Sequence, residues 1–339
     1  MDYVQLGTTD LKVSRIGLGC MSFGSDAWRP WILNPKESRV LLDRALDLGI
    51  NFFDTANVYS HGRGEKLVGQ FIKESFRRDD VVISTKIGYP GGKDPSLMGL
   101  SRNNILSAID HALTRLQTDY VDILQIHLWD PDTAIEETME ALHHIVEAGK
   151  VRYLGATNLR AWQLGKAHFT AKLSHWTGFS SMQVHYNLLH REDERDLIPL
   201  CMDQGIAVLP WSPLARGRLA RAGMPRPQHE SPRAVVDDVA DTLYGVGQDP
   251  ILADLASLAK RKQKSPAQLA IAWLLQAPGV TAPLIGATKL HHIDEAVSAI
   301  DMVLTPEEVT ALERCYTPRA LSELPGIPDH QSNIWDLDD

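Results

Sequence analysis

Eight short apolar runs rich in Val, Ile and Phe punctuate this chain, and segments of helical period lie between them. The runs are IGLGCM from Ile16, INFFDT from Ile50, VVISTKI from Val81, VDILQIH from Val121, VRYLGAT from Val151, SSMQVHY from Ser180, AVLPWS from Ala207 and TAPLIGA from Thr281. They are continuous rather than strictly alternating, as expected of strands buried on both faces beneath covering helices. From Ser101, apolar residues recur at Ile105, Leu106, Ile109, Ala112, Leu113 and Leu116, which predicts a helix with Ser101 as its N-cap. A second helix is predicted to open at Thr133, carry Met139, Leu142, Ile145 and Val146 inward, and stop at Gly149. Repeated at roughly 30 residues per unit, this beat predicts a single α/β domain over residues 1–339, a (β/α)8 TIM barrel. An open doubly wound sheet is the alternative, and no composition shift or linker splits the chain.

Three stretches break the rhythm. Residues Tyr3 to Gln5 and Lys12 to Ser14 flank the turn Gly7-Thr8-Thr9-Asp10 and read as an N-terminal β-hairpin that would plug the barrel floor. Residues 213–247, after the seventh run, form a long loop rich in Arg, Pro and Gly, a length associated with lids or disorder. The tail 316–339 either packs over the barrel mouth or stays solvated.

The formal net charge of -9 removes any sequence-independent pull toward nucleic acid or an anionic membrane. No run of about 18 apolar residues occurs, and MDYVQLGTTDLKVSR lacks a signal peptide's layout, so a cytoplasmic protein is expected. The three cysteines, Cys20, Cys201 and Cys315, have neither the number nor the spacing of a disulfide framework or zinc site. His143-His144 and His291-His292 lack metal-ligand spacing, so no metal is expected. The carboxylates of DERD from Asp193 and of Glu136-Glu137 read as solvated helix faces.

Barrel chemistry is built where strands end and loops begin. The second run ends in Asp54-Thr55-Ala56-Asn57-Val58-Tyr59, the third in Lys86 and the fourth in His127. An acid, a phenol, an ammonium and an imidazole thus reach one rim from three successive strands, a set suited to proton handling. The Lys86 cation should favour phenolate and draw Tyr59 below its usual pKa of about 10. Asp54 would hold Lys86, and His127 would donate to a carbonyl oxygen. A Schiff-base role for Lys86 is a remoter reading.

The ordered stretches INFFDTANVYS, ISTKIG, ILQIHLWD, LGATN and PWSPLARGRL resemble the aldo-keto reductase superfamily over nearly the whole chain. LGCMSFG, LQIHLWD and PWSPLARGRL look closest to the bacterial YajO-like reductases and the related potassium-channel β-subunit branch. The resemblance implies a catalytic tetrad of Asp54, Tyr59, Lys86 and His127, with Tyr59 as general acid for reduction and base for oxidation. It implies reversible NADP(H)-dependent reduction of an aldehyde or ketone, such as a keto sugar or a bulky cyclic ketone. A nicotinamide-binding regulatory subunit with little turnover is the alternative from the same branch.

Such chemistry needs a hydride donor, yet Gly17-Leu18-Gly19 with Gly24 lacks dinucleotide-fingerprint spacing. The Tyr89/Lys93 pair is interrupted by Pro90-Gly91-Gly92. What remains is a phosphate site on the loops after strands seven and eight, where Arg216, Arg218 and Arg221 fall. By resemblance Trp211 stacks on the nicotinamide, and Asn158 and Gln183 bond its carboxamide. Gly19, Cys20, Met21, Asp54 and Thr157 belong to the same cofactor wall. Ser212, Pro213, Leu214, Arg216, Gly217 and Arg218 would face the pyrophosphate, and Gly286, Thr288, Lys289, His292 and Glu295 the adenosine end. His292 and Ala296 depart from the family's usual Arg or Gln and Asn, with Lys289 as a compensating cation for NADPH over NADH. Trp28, Trp31, Tyr89 and Trp129, beside Tyr59 and His127, would line the substrate mouth.

Overall fold

The computed structural model describes residues 1–90, 97–224, 243–244 and 249–318. Strands β1 (Tyr3–Gln5) and β2 (Lys12–Ser14) form the N-terminal hairpin, with Tyr3 opposite Ser14 and Gln5 opposite Lys12. Eight parallel strands follow: β3 (Gly17–Gly19), β4 (Phe52–Asp54), β5 (Val82–Ile87), β6 (Val121–Ile126), β7 (Val151–Thr157), β8 (Phe179–His185), β9 (Ala207–Trp211) and β10 (Leu284–Gly286). Their order is β10-β3-β4-β5-β6-β7-β8-β9. The ring closes through a bridge between Val208 and Val280, where the Thr281 N–H donates to the Val208 carbonyl at 2.9 Å. The architecture is the expected (β/α)8 barrel, and an open sheet is ruled out.

Helices α1 (Pro35–Asp47), α2 (Arg63–Ser75), α3 (Arg102–Leu116), α4 (Ile135–Glu147), α5 (Ala161–Leu173) and α6 (Leu197–Gln204) alternate with the strands. Helices α7 (Asp249–Lys262) and α8 (Pro266–Gln276) precede β10, and α9 (Leu290–Ser298) and α10 (Pro306–Glu313) follow it. Local chemistry starts them: Asn34 and Glu37 form a capping box on α1, and Ser101 accepts from the Asn104 N–H on α3. The helix expected from Thr133 begins two residues later, because the Thr133 hydroxyl is spent on Asp130 at 2.7 Å. No helix among the described residues is long and apolar enough to cross a membrane.

Beneath the continuous apolar runs lies a period of two. Phe53, Ile83, Leu124, Leu154, Met182, Val208 and Ile285 point outward into the layer shared with the helices. Phe52, Val82, Ile123, Ala207, Leu209, Ala282 and Leu284 point inward and fill the lower barrel with Leu6, Leu11 and Val13 of the hairpin. Each buried Leu of that plug contributes about 1.5–3 kcal/mol. The hairpin turn presses on the floor: Gly7 has φ +58°, and a Cβ there would stand 2.4 Å from the Gly205 carbonyl. Two further expectations change. In the DERD stretch Arg195 and Asp196 are exposed as expected, but Asp193 is partly covered and burial pushes it up to about 7. Of the long loop, residues 213–224 are described as two tight turns and Tyr244 is buried. In the tail, the Tyr316 hydroxyl donates to Glu192 at 2.6 Å and accepts from the Arg191 N–H at 2.8 Å. Residues beyond 318 lie outside the described ones.

Candidate active site

Above the apolar floor the inward positions turn polar. Strand register sets Asp54 beside Gly19 and Ser84, Lys86 beside Gln125, and Gln125 beside Gly155. The Lys86 Nζ donates to Asp54 Oδ2 at 2.5 Å and to the Thr55 carbonyl at 2.9 Å, with Lys86 0% and Asp54 3% exposed. The other carboxylate oxygen of Asp54 accepts from Gln125 at 3.0 Å and Gln183 at 3.1 Å. Desolvating an ammonium costs several kcal/mol, so the pair persists only because nearly every donor and acceptor is matched. Burial pulls Lys86 down, but Asp54 and the Tyr59 phenol more than offset it, leaving the amine above its ordinary pKa. A raised amine is held as the ammonium, which disfavours the Schiff-base reading.

Tyr59 opens a tight turn after β4 in which Ser60, His61 and Gly62 all take positive φ (49°, 52° and 81°). The Lys86 Nζ lies 5.3 Å from the Tyr59 ring centroid, and the Tyr59 and His127 rings meet edge-on at 6.2 Å. Tyr59 and His127 keep partial exposure at the mouth while Asp54 and Lys86 are sealed below. The four residues read from the sequence are therefore brought together. The phenol differs from expectation in one respect: burial raises it above its ordinary value, and the opposing pull of Lys86 does not reverse this. His127 is held well below the usual imidazole range by burial and then by Lys86, so it is neutral at pH 7. Its Nδ1 is buried with no hydrogen-bond partner among the described residues.

On the cofactor side, Trp211 ends β9 with one face stacked on His185 at 4.1 Å and 11°. Asn158 donates to the His127 carbonyl at 3.2 Å, and the Gln183 amide nitrogen is directed at Asp54. The amide oxygens of Asn158 and Gln183 accept no hydrogen bond among the described residues. Ser212, Ala215, Arg216 and Gly217 all have positive φ, and Arg221 has no carboxylate partner among the described residues. At the far end, His292 accepts from the Thr288 N–H at 3.3 Å and burial lowers it to about 4, so it supplies no charge; Lys289 is exposed and Ala296 buried. Cys20 is fully buried with its thiol on the Leu18 carbonyl, whereas Met21 and Gly286 are partly or fully exposed.

Of the aromatics expected at the mouth, Trp28 lies 6.3 Å from Tyr59 and Tyr89 5.0 Å from His127. Trp31 is 5% exposed, and Trp129 packs edge-on against Trp162 at 5.5 Å. Sequence reasoning missed Gln125, Gly155 and His185. Gln125 and Gly155 are mid-strand, and only the inward period marks them; a Cβ on Gly155 would stand 2.9 Å from Gln125 Cγ.

The family model for the aldo/keto reductase family matches residues 15–317, and the chain belongs to that family. It is accordingly an oxidoreductase acting on carbonyl or alcohol groups, and members generally use NAD(P)H. It is 41% identical to the versiconal hemiacetal acetate reductase of Aspergillus parasiticus over 95% of this chain and 98% of that one. It is 39% identical to a Schizosaccharomyces pombe protein carrying an aryl-alcohol dehydrogenase name, over 93% and 96% of the two chains. An aldo-keto reductase of Alternaria alternata is 38% identical over 94% and 93%.

Proposed function

We propose that this chain reduces an aldehyde or ketone reversibly with NADP(H), using Tyr59 as the proton donor. The observation that carries the reading is the sealed Asp54–Lys86 pair beneath the partly exposed Tyr59 and His127. When bound, a nicotinamide would supply the hydride for the carbonyl carbon. Tyr59, kept protonated by burial, gives its proton to the carbonyl oxygen, and the Lys86 ammonium stabilises the phenolate left behind. Neutral His127 orients that oxygen by donation from its ring. Run in reverse, the phenolate takes the alcohol proton.

The residues fit the nucleotide. Trp211 is a flat platform backed by His185, the unused amide oxygens of Asn158 and Gln183 suit a carboxamide NH2, and Arg221 with the left-handed turn suits a pyrophosphate. Lys289 is the cation for a ribose phosphate and favours NADPH over NADH. Trp28 and Tyr89 flank the proton donor and favour a planar or bulky cyclic carbonyl compound. We place the chain among reductases and not channel-type subunits, because relatives spanning its length are named reductases and dehydrogenases. A panel of aryl, cyclic and keto-sugar carbonyls with NADPH, repeated with NADH, tests this. Steady multiple turnover with NADPH is expected; a single turnover with tight nucleotide retention would instead support the regulatory subunit.

A further inference from the structure

The turn that presents Tyr59 is backward-curled and short, and something must hold it. Part of the answer is steric. Gly64, in the first turn of α2, packs against that turn, so that a Cβ there would already be in van der Waals contact at 3.4 Å with Tyr59 Cβ and the Tyr59 carbonyl oxygen. Next to it, Glu65 is 0% exposed, an unusual place for a carboxylate. One of its oxygens accepts from the Thr85 hydroxyl at 2.6 Å, and Thr85 immediately precedes Lys86 on β5. The other meets Arg115 Nε of α3 at 2.5 Å. The Arg115 stem in turn fills the space under Gly62, where a Cβ would stand 2.7 Å from Arg115 Cδ. Glu65 therefore joins three elements around the base of the Tyr59 turn without touching the reacting groups itself.

We propose that the Glu65–Arg115 pair is a positioning device for Tyr59, clamping the left-handed turn to α3 on one side and to the Lys86 strand on the other. The inference rests on the reading of Tyr59 as the proton donor. Burial raises the Glu65 carboxyl above its ordinary value despite Arg115. A buried ion pair is by itself a weak contributor to net stability, which accords with a positioning use. Proton transfer is sensitive to such placement: a shift near 1 Å can cost on the order of a hundredfold in rate.

The test compares wild type, Arg115→Met, Arg115→Lys and Thr85→Val, assayed well below their melting temperatures, with NADPH affinity read separately by fluorescence titration. Arg115→Met should lower kcat about tenfold or more while KM and NADPH affinity stay within about twofold, since the pair is largely buried behind the turn and apart from the cofactor and mouth residues named above. Arg115→Lys should recover most of the loss, and Thr85→Val should show a smaller kcat defect because it releases only the β5 arm. Wild-type kcat in Arg115→Met overturns the inference. So does an equal loss in kcat, KM and NADPH affinity, which marks general loosening. Failure of the underlying reading looks different: the wild type then reduces no carbonyl, or Tyr59→Phe retains full turnover.

Discussion

Replacing Asp54 by Asn keeps the shape of the polar layer and removes one charge. Lys86 is then a fully buried ammonium whose partners, the Thr55 carbonyl, the Tyr59 phenol and the new amide, carry no formal negative charge. Breaking one side of such a pair costs about 3–5 kcal/mol, because the remaining charge stays desolvated. Unfolding entropy of about 2.1 cal/mol/K per residue over 339 residues amounts to about 0.7 kcal/mol/K. The melting temperature at pH 7 should therefore fall by roughly 4–7 °C. Linkage adds a second signature. The Lys86 amine is raised in the folded state, so its contribution is fully present below its ordinary value of 10.5 and is lost as pH rises through the folded value. Wild type should lose stability above about pH 10.5, and Asp54→Asn should lose less there because its deficit is already present at pH 7. Thermal melts by calorimetry from pH 7 to 11 measure both. An Asp54→Asn protein that melts like wild type at pH 7 would refute the argument that the carboxylate holds the ammonium.

Gly155→Ala should cost about 1–3 kcal/mol by crowding Ser181 Oγ and Gln125 Cγ, and should lower turnover by displacing Gln125 from Asp54; denaturant melts and kcat check this. Trp211→Ala should weaken NADPH binding by about 2- to 12-fold, from an aromatic contact of about 0.5–1.5 kcal/mol, as read by fluorescence titration. His127 is already neutral at pH 7, so the pH profile of reduction should show no inflection near 6.5 from this residue. Its folded value lies below the ordinary one, so the stability it contributes is present above pH 6.5 and is lost as pH falls below that; melts from pH 7 to 5 should decline accordingly.

Much of the barrel was legible because strand runs and helix stripes obey different periods. The hairpin limits, the eight strands and the Ser101 cap were all written in local composition. The tetrad was legible because strand ends point at one rim. Less visible were features that depend on register across strands: Gln125 and Gly155 look like ordinary mid-strand residues until pairing sets them side by side, with Gln125 on Asp54. The sign of the Tyr59 shift also escaped, since a neighbouring cation is evident in sequence while the depth of burial is not. Nor could position in the chain show that Trp28 would stand against Tyr59 and Tyr89 against His127.

The central claim is that the Tyr59 hydroxyl delivers the proton while the nucleotide site stands apart from it. Tyr59→Phe deletes that one oxygen and keeps the ring contacts with Trp28 and His127. Steady-state carbonyl reduction and NADPH titration on this variant decide the matter: kcat should fall by about 10²- to 10⁴-fold with nucleotide affinity nearly unchanged. Full turnover in Tyr59→Phe would contradict the account.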